Sequence, residues 1–148
     1  VSTEIFSAAI TYLERYGFSV IPLGRNSKRP AIEWEPFQRR RPTLEELDAW
    51  FTNGDANIGI VTGAISGLVV LDIDGPEGEA SMRGLEVPLT KEVRTPRGRH
   101  LYFEHPGNTK VPTAVGFLPH VDVRGDGGYV VAPPSIVNGT TYVFVRHG

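Results

Sequence analysis

The run Leu68-Val69-Val70-Leu71-Asp72-Ile73-Asp74-Gly75 constrains this chain more than any other segment. Four apolar residues suited to a strand lead directly into two aspartates separated by one residue. On a strand, positions i and i+2 point to the same face. Asp72 and Asp74 therefore project side by side, and Gly75 lets the backbone turn at once. Two carboxylates so close repel each other, and neither ionises comfortably without a cation between them. Converging hard oxygen donors suit Mg²⁺ or Mn²⁺. The alternative is a strand end whose aspartates are simply solvated around a turn.

Val121-Asp122-Val123 repeats the pattern, with a carboxylate inside a β-branched run where it is unfavourable unless paired. Asp126, in Gly125-Asp126-Gly127-Gly128, is explained by turn chemistry alone. Asp122 is thus the expected third ligand and Asp126 a structural residue. Three carboxylates in a pair-plus-one arrangement are what a two-metal phosphoryl-transfer site requires. His100 opens a strand between Arg99 and Leu101, with Arg97 nearby, a setting suited to an anion such as phosphate. A buried structural histidine is the plainer reading of the same residue.

Other chemistries are excluded. The 148 residues contain no cysteine, so disulfide scaffolds, thiolate zinc sites and cysteine nucleophiles fall away. Ser135 has no G-x-S-x-G context, and no G-x-x-x-x-G-K-[ST] loop is present, which removes serine-nucleophile and Walker-type NTPase readings. No apolar run approaches bilayer length and no signal-like segment opens the chain, so no membrane association and a cytoplasmic location are expected. The net charge of −2 is uninformative, but its distribution is not. Arg25, Lys28, Arg29, Arg39, Arg40 and Arg41 cluster in one connection, and Lys91, Arg94, Arg97 and Arg99 in a second group.

Spacing predicts a helix through Ile5, Ala9, Leu13 and Tyr16, capped by Ser2 and stopped by Gly17. A strand follows over Phe18–Leu23. Thr43 and Glu46 form a T-x-x-E capping box opening a helix over Leu44–Phe51. Ile58–Thr62 and Leu68–Ile73 read as a hairpin or closely spaced pair across Gly63–Gly67. A short helix is expected around Glu79–Leu85, then strands Lys91–Thr95 and Arg99–Glu104 about a tight turn. Gly107–Pro119 reads as a loop. Val121–Arg124 and Tyr129–Ala132 read as a hairpin, and Asn138-Gly139 as a type I′ turn between Ile136-Val137 and Thr141–Val145. The class is α+β, with two early helices and then mostly antiparallel strands. Val1 and the stop at His147-Gly148, directly after a strand, make the chain read as a fragment.

These residues resemble the prim-pol domain of the archaeo-eukaryotic primase superfamily, found in plasmid and phage replication proteins. The resemblance runs over almost the whole chain. Ala8-Ala9, Leu13, Gly17-Phe18 and Pro22-Leu23 resemble the family's first helix and strand; Lys28-Arg29-Pro30 with Trp34 resembles its K-x-P…W segment. Asn57–Gly63 resembles its glycine-bearing strand. Leu71-Asp72-Ile73-Asp74, Gly98-Arg99-His100 and Val121-Asp122 match its three motifs, followed by Arg124-Gly125-Asp126-Gly127-Gly128-Tyr129 and Pro133-Pro134-Ser135.

The resemblance implies one catalytic domain over residues 1–148, with an RNA-recognition-motif-like antiparallel sheet bearing the catalytic residues and a smaller N-terminal α/β part. It implies a DNA primase/polymerase: a metal-dependent nucleotidyltransferase making or extending primers on single-stranded DNA template. Asp72, Asp74 and Asp122 would be metal ligands for two Mg²⁺ or Mn²⁺ ions. His100 would contact the phosphates of a nucleoside triphosphate, dNTP or NTP, with Arg97, Arg99 and Lys28 as further phosphate or template contacts. Downstream helical and helicase regions are expected in the full-length protein, and primer initiation is expected to need residues beyond Gly148. A metal-dependent nuclease using the same aspartates is one competing class. Another is a non-catalytic origin-binding or nucleic-acid-binding module stacking bases on Tyr102 and Phe103. Sugar-nucleotide transferases share D-x-D but fit the third aspartate and the histidine segment less well.

Overall fold

The alternation that makes Asp72 and Asp74 neighbours also buries the rest of their strand on both sides. In the computed structural model, which describes residues 3–146, strand β3 (Leu68–Asp74) lies inside a six-stranded antiparallel sheet. Its other strands are β4 (Lys91–Arg94), β5 (Gly98–Glu104), β6 (Ala114–Leu118), β7 (Val121–Arg124) and β11 (Val143–Phe144), in the order β11-β4-β5-β3-β7-β6. A second, three-stranded sheet has the order β1-β2-β8, from β1 (Ser19–Leu23), β2 (Asn57–Val61) and β8 (Tyr129–Ala132). The small ribbon of β9 (Ile136–Val137) and β10 (Thr140–Thr141) stands apart.

Leu68 and Val70 join Val93 and Tyr102 in a core shared with Ile21, Ile58, Ile60 and Val130 of the smaller sheet. Ile73, from the opposite face of β3, packs with Leu101, Val121 and Met82 of helix α3 (Gly75–Met82). Each fully buried Val, Leu or Ile contributes about 1.5–3 kcal/mol, so β3 is anchored from both faces. Helices α1 (Thr3–Glu14) and α2 (Leu44–Phe51) complete the smaller part. Gly17, at φ +70, ends α1 as a C-cap: its N–H donates to Leu13 O, and Phe18 N–H donates to Tyr12 O. The capping box of α2 is present, with Thr43 Oγ1 accepting from Glu46 N–H and the Glu46 carboxylate accepting from Thr43 N–H. Leu47 and Phe51 carry that helix into the core. No helix among the described residues is long and apolar enough to cross a membrane.

The α+β class holds, and several local expectations are corrected. β2 and β3 are not a hairpin. Gly63 at φ +101 and Gly67 at φ +62 turn the chain out of one sheet and into the other, leaving a single Gly63–Leu68 bridge. β7 and β8 part in the same way, because Gly125 is pressed so closely on Val111 O that its turn is fastened to that segment. The third helix starts four residues earlier than expected, directly after Asp74, with Pro76 in its first turn. The segment read as a loop contains β6, an edge strand whose Val115 and Phe117 are exposed and which therefore carries no burial period. The Asn138-Gly139 turn has φ +52 and φ +78, the type I′ pattern, but the strand expected after it is broken into β10 and β11. Ser2 and the His147-Gly148 end lie outside the described residues.

Two of these features are directly testable. A Cβ at Gly98 would overlap the carbonyl oxygen of Ile73 on the adjacent strand. Gly98→Ala should therefore lower the urea midpoint by the equivalent of about 1–3 kcal/mol, without changing the denaturant slope. In α2, the Arg40 guanidinium and Thr43 N–H hold the Glu46 carboxyl at about 2, below its ordinary 4.5. Its folded-state value is depressed, so its stabilisation is complete above pH 4.5 and lost as pH falls through 2. Thermal melts of wild type and Glu46→Gln should converge over that interval. Thr43→Ala should lose about 1 kcal/mol at neutral pH.

Candidate active site

The register of β3 lines up the sequence motifs. Asp72 lies directly opposite His100 on β5 and directly opposite Asp122 on β7. Residues opposite one another share a face, so the three form one row across adjacent strands, with Asp74 two positions further along β3. That face looks towards β8 of the smaller sheet. The space between them is a cleft of about 190 Å³, lined by Asp72, Asp74, His100, Arg97, Arg124, Lys28, Tyr142 and Tyr129–Val131.

Each side chain is set by its strand or turn. Asp74 precedes α3 at the N-cap position yet makes no side-chain cap hydrogen bond, so its carboxylate remains available to the cleft. Burial and the neighbouring Asp72 charge push the Asp74 carboxyl above its ordinary value, against the pull of Arg97 and Lys28. Burial also pushes Asp72 up, but His100 and Arg124 outweigh it and hold that carboxyl below its ordinary value. His100 Nε2 stands 3.5 Å from Asp72 Oδ1, and its buried Nδ1 has no hydrogen-bond partner among the described residues. Asp122 Oδ1 accepts from Gly116 N–H at 2.8 Å, while Oδ2 accepts from Arg124 Nη2 at 2.9 Å. The same Nη2 lies 3.9 Å from Asp72 Oδ2.

Arg97 and Lys28 line the cleft from exposed turns. Arg99 does not. It alternates with His100 along β5 and therefore emerges on the α3 side of the sheet. There it pairs with Glu79 at 2.8 Å and Glu92 at 3.4 Å, which corrects its expected place among the phosphate contacts. Asp126 is held by structure: its carboxylate accepts from the N–H groups of Ala64 and Val111 and sits 3.1 Å from His105 Nε2. Sequence reasoning gave Arg124 and Tyr142 no role in the site. The available signal for Arg124 was its i+2 relation to Asp122, which places both on one face.

The donor set suits a hard divalent cation: only carboxylate oxygens, two of them on consecutive inward positions and a third opposite across the sheet. As placed, no group of three or more Asp, Glu or His side chains among the described residues is gathered tightly enough to hold a metal, and Arg124 stands between Asp122 and Asp72. The arrangement otherwise offers negative charge at the floor, cations at the margins, and an imidazole beside the first carboxylate.

No curated protein matches the chain. A family model does, the one described as "Bifunctional DNA primase/polymerase, N-terminal" (Prim-Pol), and it covers residues 9–148. That span takes in both sheets, the cleft between them and the three motifs on β3, β5 and β7, and the chain belongs to the Prim-Pol family of DNA primase/polymerases.

Proposed function

We propose that residues 1–148 are one catalytic domain, a metal-dependent nucleotidyltransferase that extends primers on single-stranded DNA. The observation that carries this reading is the row His100–Asp72–Asp122 with Asp74 beside it, of which His100, Asp72 and Asp74 line a cleft bordered by Lys28 and Arg97. Asp72, Asp74 and Asp122 would hold Mg²⁺ or Mn²⁺. Bound there, such ions lower the pKa of a primer 3′-hydroxyl and neutralise charge on the reacting phosphates.

The chain's own groups carry the remainder. Lys28 and Arg97 place positive charge where a triphosphate enters, favouring its polyanionic tail over a neutral ligand. His100, fixed by burial beside Asp72, presents its ring to the cleft and donates to a phosphate oxygen. The primer hydroxyl gives up its proton to solvent as its oxygen attacks the α-phosphorus, the bond to the bridging oxygen breaks, and pyrophosphate departs along the cationic margin. A nuclease would need the carboxylates but not this margin.

The test is a primed single-stranded template with Mg²⁺ or Mn²⁺ and dNTPs or NTPs in separate reactions. Nucleotide-dependent lengthening is expected; shortening of the primer without nucleotide would favour the nuclease instead. Asp72→Asn, Asp74→Asn and Asp122→Asn should each slow extension by more than about 100-fold, the scale of losing one group that stabilises transition-state charge. His100→Asn should raise the nucleotide KM while Mn²⁺ binding persists. An unchanged KM would reduce His100 to a structural residue.

A further inference from the structure

Among the described residues, Arg124 is the arginine or lysine of the cleft that is paired with carboxylates of the row. Its Nη2 sits 2.9 Å from Asp122 Oδ2 and 3.9 Å from Asp72 Oδ2. The side chains of Arg124, Asp72 and Asp122 are 29%, 18% and 21% exposed. Solvent therefore screens this contact less than it screens a surface pair. The other oxygen of Asp122 accepts from Gly116 N–H, which favours the present orientation of its carboxylate. Asp72 is held in the centre of the sheet with His100 on its other side. The two Oδ2 atoms thus face a common space, and the guanidinium occupies it.

A divalent ion held by both carboxylates would take the place beside the Asp72 and Asp122 oxygens that Nη2 now occupies. Two cations cannot share that position, for steric reasons and because of their mutual repulsion. Arg124 is the movable partner: its long, flexible side chain lines the cleft.

Resting on the metal-ligand assignment proposed above, we infer that Arg124 is a built-in counter-cation of the Asp72–Asp122 pair, displaced when a divalent ion binds. The exchange keeps charge balanced at each stage. Before metal arrives, the guanidinium suppresses repulsion between the two carboxylates. Afterwards, it is released into the cleft that a triphosphate would fill with new negative charge. Metal affinity is consequently set by competition between the ion and a residue two positions from one of its own ligands.

The experiment measures Mn²⁺ binding, from the loss of the free-ion electron paramagnetic resonance signal, without nucleotide or DNA. Wild type, Arg124→Gln and Asp72→Asn are compared. Arg124→Gln should bind Mn²⁺ about tenfold more tightly than wild type, a difference of 1.4 kcal/mol. It should also melt at a lower temperature in EDTA and recover when Mn²⁺ is added. Asp72→Asn should lose binding. If Arg124→Gln binds Mn²⁺ no more tightly than wild type while Asp72→Asn loses it, the counter-cation idea is overturned and the ligand assignment survives. Undiminished binding by Asp72→Asn overturns both. Should Arg124→Gln not fold, the wild type still answers. Its ¹⁵N-arginine spectrum, with the Arg124 Nε–H signal assigned by its loss in Arg124→Lys, should shift at saturating Mg²⁺. A stationary Arg124 signal would refute displacement.

Discussion

Because side chains alternate along a strand, a one-residue slip of β3 against β5 or β7 would turn Asp72 and Asp74 out of the cleft and Ile73 into it. The observed register puts His100, Asp72 and Asp122 abreast, and everything else about the site depends on that alignment. Two cores defend it. On one face Leu68 and Val70 are packed against the smaller sheet; on the other Ile73 is sealed by Leu101, Val121 and Met82. A slipped strand would have to bury both carboxylates among Leu101, Val121 and Met82, so the apolar half of the strand enforces the position of its acidic end.

The acidic end is where core packing stops and electrostatics takes over. Asp72 is the fifth of the seven residues of β3, flanked by a buried histidine and a guanidinium, while Asp74 sits where the strand passes into α3. Their carboxyls are displaced in opposite directions, Asp74 upward and Asp72 downward. One sequence motif therefore supplies two chemically different oxygens, and the difference arises from the strands on either side.

Much of the site was legible because its components are local patterns. An apolar strand running into D-x-D-G, an aspartate between valines and a histidine among arginines can each be read without knowing the fold. So can the Thr43–Glu46 capping box, whose partners are three residues apart. What could not be read is pairing over long separations. β2 to β3 and β7 to β8 look like hairpins in sequence, yet each link carries the chain between sheets, held by contacts such as Gly125 with Val111. Arg97 and Arg99 look equivalent in composition and differ in parity: one lies in a turn at the cleft, the other alternates with His100 onto the opposite face. Arg124 was hidden by the same neglect of parity. β6 gave no periodic signal because an exposed edge has no buried side to advertise.

Asp126, a turn residue by its sequence context, joins two of the three crossings between the sheets. It lies on the link from β7 to β8 and accepts from Ala64 on the link from β2 to β3, while Thr62 Oγ1 beside Ala64 donates to Gly125 O. The two sheets are therefore stitched together along one margin, like the pages of a book at its spine. Sliding of one sheet past the other along that margin would have to break these bonds first.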